Sequence, residues 1–267
     1  MTAATEFAPA KINLALHVTG QQANGYHLLD SLVVFAGVGD ALSVTSADRT
    51  SLQVDGPFSE GVPNDPRNLV WKALDRAAVT AQVALTKNLP HGAGIGGGSS
   101  DAAAILRAVG RSDLALDLGA DVPVCLGSQP QRMQGIGDVL SDVADCPRFW
   151  LVLVNPGAHV PTMDVFGALS SKQNPPMDPM PEDGDWLAWL AAQRNDLQDP
   201  AIAYAPVIGD ALAALGDAQL ARMSGSGSTC FGIYQDEVSA SAAQARIAGA
   251  QPDWWVVATQ TFGAGVS

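Results

Sequence analysis

The stretch that most limits what this chain can become is residues 89–101, LPHGAGIGGGSSD. Five of the seven residues between His91 and Ser99 are glycine and Pro90 stands just ahead of them, so this backbone is neither ordinary helix nor ordinary strand. It reads as a loop built for close approach. Ahead of it QVALT (residues 82–86) has the pattern of a short strand; after it residues 99–109 have alanine-rich helical periodicity, with Ser99, Ser100 and Asp101 expected to cap the helix. Strand, glycine loop and helix start form an anion-binding layout. Without Cβ atoms several N–H groups can converge on one ligand, and the helix adds the positive end of its dipole. The expected ligand is phosphate.

Two familiar phosphate loops are tested by the same residues. The Walker pattern needs Lys and then Ser or Thr after its last glycine, but Gly98 is followed by Ser99 and no lysine follows nearby. Gly92, Gly94 and Gly97 fit the spacing of the dinucleotide fingerprint. That pattern also needs an acidic ribose partner after a second strand, whereas Asp113 and Asp117 sit in a short connection. A flexible glycine linker would have polar flanks, and these flanks are apolar.

Charge narrows the ligand further. The formal net charge is −13 with only 14 Lys plus Arg, so a nucleic acid or an acidic membrane is a poor partner and the anion should be small. The chain has four lysines, Lys11, Lys72, Lys87 and Lys172. Its 267 residues, 47% hydrophobic, suffice for one large or two ordinary domains. No signal-peptide pattern and no apolar run of membrane-spanning length is evident, so a cytoplasmic protein is expected. Cys125, Cys146 and Cys230 form no CxxC pair and are expected as buried free thiols.

In chain order, residues 7–18 (FAPAKINLALHV) alternate as a strand that places Lys11 and Asn13 on one face. Residues 20–27 hold an Asn24-Gly25 hairpin turn with Tyr26 and His27 at its exit, followed by an apolar run at 28–35. Short strands are expected at 37–44 and 51–54 and a helix at 68–79. Gly119 and Pro123 enforce a turn around Asp121. An apolar strand at 148–155 ends at Pro156-Gly157, and a domain boundary is placed near residue 150, giving domains 1–150 and 151–267. Beyond it come a helix entry at 160–169 bearing Thr162 and Phe166, and a proline-rich excursion at 170–185. Helices follow at 186–192 and about 205–215, then two strands joined through residues 225–227, and a last strand containing Trp254 and Trp255. Taken singly, Lys11 reads as a solvated strand side chain, Asp121 as a turn former and the aromatic residues as packing.

Together the segments resemble the GHMP small-molecule kinase superfamily, through PAKINL (residues 9–14), PHGAGIGGGSS (residues 90–100) and MSGSGS (residues 223–228), in that order. The resemblance covers nearly the whole chain. It implies an α+β, two-domain GHMP kinase fold with the active site in the interdomain cleft. ATP would be bound by Pro90, His91, Gly92, Ala93, Gly94, Ile95, Gly96, Gly97, Gly98, Ser99 and Ser100, with Mg2+ on the triphosphate and no metal ligand assigned. Ser99 and Ser100 are both near enough to touch phosphate or metal. GYH (residues 25–27), GADVP (residues 119–123) and NDL (residues 195–197) point to the branch that phosphorylates a tertiary 2-hydroxyl on a cytidine-diphosphate substrate of non-mevalonate isoprenoid biosynthesis. By motif position Asp121 is the base and Lys11 its partner, with Asn13, Tyr26, His27, Thr162 and Phe166 at the substrate. Tyr26 and Phe166 would sandwich the cytosine and His27 would read its edge. A monomer or weak homodimer is expected, and residues 110–118 read as shorter than the family pattern leads one to expect. Alternatives are a GHMP kinase for another small alcohol and a nucleotide-binding regulator without catalysis, with a dinucleotide oxidoreductase behind them.

Overall fold

The computed structural model describes residues 3–182 and 184–263. The chain forms two compact units, one containing the residues up to Lys11, Val38–His91 and Gly96–Ser128, the other Ile12–Gly37, Gly92–Ile95 and the residues from Gln129 onward. These units interleave along the chain rather than following one another in sequence. The reason is strand length. β1 (Ala4–Gln21) and β2 (His27–Ser46) are 18 and 20 residues long, so each contributes to both units, and the runs expected as separate strands at 28–35 and 37–44 are one.

In the first unit, β3 (Ser51–Asp55) pairs parallel with β4 (Ala81–Thr86), and β4 pairs antiparallel with β2 from Ala41 opposite Thr86 to Ser46 opposite Ala81. β4 buries Ala81, Val83 and Leu85 and exposes Gln82 and Ala84, the alternation of a sheet covered on one face. α1 (Leu69–Ala77) begins at Asn68, whose side chain accepts from Val70 N at 2.9 Å, and buries Val70, Ala73, Leu74 and Ala77. That apolar face packs on α2 (Gly97–Val109). α2 is buried at every position from Ser100 to Leu106, which its run of alanines permits, and it ends at Gly110 in the left-handed region, φ 67°. The stretch after it holds a 3-10 turn at Ser112–Leu114 and the single-turn α3 (Ala115–Leu118), and α4 (Val124–Gly127) follows the Asp121 turn.

In the second unit, β2 pairs antiparallel with β5 (Gln131–Gly135), and β5 with β6 (Val139–Asp142). A separate antiparallel sheet has the order β10 (Trp255–Gln260), β7 (Trp150–Asn155), β9 (Cys230–Tyr234), β8 (Leu220–Met223). Leu151 to Asn155 are all buried, as a central strand with both faces covered requires. Its helices are α5 (Thr162–Gly167), α6 (Trp186–Ala192), α7 (Gln198–Tyr204), α8 (Val207–Ala214) and α9 (Glu237–Ala250). Val152, Val154, Ile208, Leu215, Met223 and Ile247 share one core. α7 and α9 lie outside the sequence expectation: α9 buries chiefly Ala240, Ala243 and Ile247, too few large apolar residues to mark a face. The excursion at 170–185 is irregular as expected, yet it is tied down. Asn174 N donates to Val18 O at 3.2 Å, Met177 N donates to Asp30 Oδ2 at 2.9 Å, and the Met177 side chain is buried.

The three cysteines are free and buried. Among the described residues no helix is long and apolar enough to cross a membrane.

Candidate active site

Two of the sequence-selected residues meet in the first unit. Lys11, on β1, donates from Nζ to Asp121 Oδ2 at 2.7 Å. The lysine side chain is 5% exposed and the carboxylate 45% exposed, so a buried ammonium holds an open carboxylate. The pair resolves the puzzle of a lysine on an apolar strand. Asp121 is presented by the turn that Gly119 begins, closed by Val122 N donating to Gly119 O at 3.1 Å. Gly96, φ 65°, is the residue from which α2 starts, and a Cβ there would lie 3.0 Å from Lys11 Cβ. Glycine is thus what lets the helix begin against the lysine.

The helix start is not capped as the sequence suggests. Its N-cap is Gly96, with no side-chain cap bond. Ser100 instead donates its hydroxyl to Pro9 O at 2.8 Å and is fully buried, while Asp101 points to Lys87. The first intrahelical bond runs from Ser100 N to Gly96 O, so the N–H groups of Gly97, Gly98 and Ser99 precede the helical ladder and are the ones an anion at this end would meet. Of the two serines, Ser99 is the one whose hydroxyl is not committed to Pro9. At the loop's entrance Pro90 is buried and His91 is exposed, its Nε2 3.2 Å from Glu60 O.

Sequence reasoning overlooked a second lysine. Lys87 Nζ donates to both Asp40 Oδ2 and Asp101 Oδ2, the latter at 2.7 Å, with all three side chains at most 4% exposed. Burial works against the Lys87 charge, but the two carboxylates outweigh it and raise its pKa. Burial, aided by the Asp40 charge and opposed by Lys87, pushes the Asp101 carboxyl well above the usual carboxylate range. The only sequence signal was cross-strand register: Ala41 opposite Thr86 puts Asp40 beside Lys87.

In the second unit the three motif segments meet at one hydroxyl. Ser224 Oγ accepts from Asn13 N at 3.1 Å and donates to Gly94 O at 3.0 Å, joining PAKINL, the glycine loop and MSGSGS. Thr229 N also donates to Ala93 O at 3.1 Å. Gly94, φ 74°, sits so close that a Cβ would lie 2.5 Å from Ser224 O. Asn195, from NDL, braces the same turn: its Nδ2 donates to Met223 O and Gly225 O, both at 2.8 Å. Thr162 Oγ1 lies 2.9 Å from Ser226 Oγ.

The residues expected at the substrate gather only partly. His27 stacks on Phe166, with ring centroids 4.7 Å apart and planes 26° from parallel, whereas Tyr26 is 59% exposed at the hairpin exit. The ring stacked on Phe166 is His27. His27 Nε2 is buried without a partner, and burial followed by the Lys172 charge lowers its pKa, which favours neutral imidazole. Asn13 donates its Nδ2 to Ser31 Oγ at 2.8 Å and keeps a buried, unpartnered Oδ1. A cavity of about 430 Å3 in this unit, bordered by Arg194, Asp196 and Arg222, includes none of these five residues.

Comparison with known proteins identifies the family. The family described as GHMP kinases N terminal domain matches residues 68–142, and GHMP kinases C terminal matches residues 182–252. A 4-diphosphocytidyl-2-C-methyl-D-erythritol kinase of Jannaschia sp. is 52% identical, over 96% of this chain and 97% of the relative. The protein of that name from Dinoroseobacter shibae is 53% identical, over 95% and 93% respectively. A crystal structure of 4-(cytidine 5'-diphospho)-2C-methyl-D-erythritol kinase superposes with a TM-score of 0.79 at 30% identity, covering 97% of this chain and 100% of that one. Near-full-length identity of this order, with the three motif segments joined at Ser224, establishes that the chain belongs to the GHMP kinase family of small-molecule kinases.

Proposed function

We propose that this chain transfers the γ-phosphoryl group of ATP to the 2-hydroxyl of 4-diphosphocytidyl-2-C-methyl-D-erythritol, giving the 2-phosphate and ADP. The observation that carries the reading is the Lys11–Asp121 pair. A hydroxyl is a weak nucleophile at neutral pH, and a half-exposed carboxylate is equipped to take its proton as the bond to phosphorus forms. Lys11 holds that carboxylate in place and supplies positive charge beside the reacting oxygens. Phosphoryl transfer is largely a matter of positioning, which the start of α2 performs by directing N–H groups at the phosphates. Residues 90–100 form the ATP loop, with Ser99 rather than Ser100 turned to phosphate or metal.

Mg2+ would be carried chiefly by the triphosphate, with the Ser99 hydroxyl as a hard oxygen donor beside it, and would supply charge neutralisation. For the second substrate, Phe166 and Tyr26 provide ring faces for the cytosine, and His27, neutral and with Nε2 unpartnered, meets its polar edge. Asn13 Oδ1 and Thr162 add polar contacts. The two family matches fall on either side of residue 150, which supports an ATP-binding half at 1–150 and a second half at 151–267. A cytoplasmic monomer or weak homodimer fits a metabolic kinase of this kind.

The test is to incubate the purified protein with Mg-ATP and, separately, the cytidine compound, mevalonate, homoserine and galactose, measuring ADP and phosphorylated product. Selective phosphorylation of the cytidine compound is expected. Preferential turnover of another alcohol would overturn the cytosine assignment, and ATP binding without transfer to any of them would overturn the reaction itself.

A further inference from the structure

The mechanism leaves the buried Lys87 cluster unused, and its place in the chain is specific. Lys87 directly follows β4, ahead of the glycine loop, and Asp101 lies in the first turn and a half of α2 after it, so the 2.7 Å bond between them closes the loop at its base. Asp40 ties down the entrance separately. Its Oδ2 accepts from Lys87, and its Oδ1 accepts from Asn88 N at 2.6 Å and Leu89 N at 2.9 Å. The lysine backbone is fixed too, Lys87 N donating to Asp55 O at 2.8 Å and its carbonyl accepting from Phe58 N at 3.1 Å. Gly97 lies directly over the cluster: a Cβ there would be 3.5 Å from Lys87 Nζ and 3.6 Å from Asp40 Oδ2.

We propose that Lys87, Asp40 and Asp101 are positioning residues that clamp the two ends of the glycine loop, so that the N–H groups at the start of α2 are held in the arrangement that receives the ATP phosphates. This rests on the loop being the ATP site. The physical case is that a five-glycine segment has large conformational freedom, and an anion site works only if its donors are fixed beforehand. Neutral capping is absent at Gly96, and the ion cluster takes its place one turn deeper. Two carboxylates sharing one ammonium below the surface are an expensive way to fill a core, which a simple packing role does not require.

Three proteins test it: wild type, Lys87→Met with Asp101→Leu, which leaves Asp40 held by two backbone N–H groups and no orphan lysine charge, and Asp101→Asn, which keeps an acceptor oxygen for Lys87. Hydrogen exchange of the ligand-free proteins is read at residues 88–101, with α9 as the control, alongside KM for ATP and kcat. In the double variant exchange at 88–101 should rise on the order of tenfold with α9 unchanged. KM for ATP should rise by about the same factor while kcat stays within about twofold. Asp101→Asn should fall between it and wild type in both readouts. Unchanged exchange and KM in both variants overturn the clamp, as does a loss of kcat at constant KM, and so does faster exchange extending equally to α9. If wild type neither binds ATP nor phosphorylates any alcohol, the functional reading fails, and the exchange data alone still decide whether these residues hold the loop.

Discussion

The first unit contains two lysine–aspartate sites built from the same chemistry and separated by exposure. At Lys11 the cation is buried and its carboxylate, Asp121, is 45% exposed; at Lys87 the cation and both carboxylates are at most 4% exposed. An open carboxylate can meet a substrate hydroxyl. A closed one can only hold protein. The comparison teaches that a lysine–aspartate contact by itself says nothing of role, and that water's access to the acceptor oxygen is what distinguishes the proposed base from the proposed clamp.

The sharpest way to break the comparison is Asp121→Asn, which keeps the shape and removes the proposed base. Turnover should fall roughly 10²- to 10⁴-fold with ATP binding retained, measured by single-turnover kinetics and nucleotide titration. Wild-type turnover would remove Asp121 from the base role. At the closed site the expected loss is of a different kind: Lys87→Met leaves two buried carboxylates facing each other and should cost about 3–5 kcal/mol of unfolding free energy. Lys11→Met, beside a solvated carboxylate, should cost well under half of that in denaturant unfolding, while still depressing turnover. Equal stability losses would erase the distinction.

A third measurement uses pH. Burial raises the Asp101 pKa from 3.8 to about 7, so between those values the folded protein holds a proton that the unfolded chain has released. Stability from this group is therefore fully present at low pH and declines as pH rises toward 7, with a slope of at most about 1.4 kcal/mol per pH unit. Asp101→Asn should flatten that slope in urea unfolding across pH 5 to 7. An identical slope in the variant would mean that the Asp101 carboxyl is not raised by its burial. The smallest effect lies outside both sites. Phe166→Ala removes a ring contact of about 0.5–1.5 kcal/mol and should raise KM for the cytidine substrate up to about tenfold with kcat little changed, whereas a loss confined to kcat would remove Phe166 from base binding.

Much of this was legible in the sequence because it depends on local pattern. Alternation in residues 7–18 marks β1, the glycines mark the loop, and Asn68 marks the start of α1. What escaped depends on partners far along the chain. Ser99, Ser100 and Asp101 look like a capping run, and only the positions of Pro9 and Lys87 show where Ser100 and Asp101 point. Lys87 was one of four lysines until strand register brought Asp40 beside it. Asn195 read as part of a motif, while its work, holding the carbonyls of Met223 and Gly225, is visible only in the folded chain. The stacking of His27 on Phe166 is likewise a matter of which side of the hairpin exit faces α5, which spacing does not determine.

The Ser224 hydroxyl has a consequence in time as well as in space. It joins Asn13 across 211 positions and Gly94 across 130. Contacts of such long range form late, after the local strands and helices have closed. A chain growing from the ribosome can complete β4 and α2 early, but the glycine loop lacks its seat on Ser224 and Thr229 until residue 229 has been made. Competence at this site is thus tied to synthesis past residue 229, and a chain stalled earlier carries the loop without the support that shapes it.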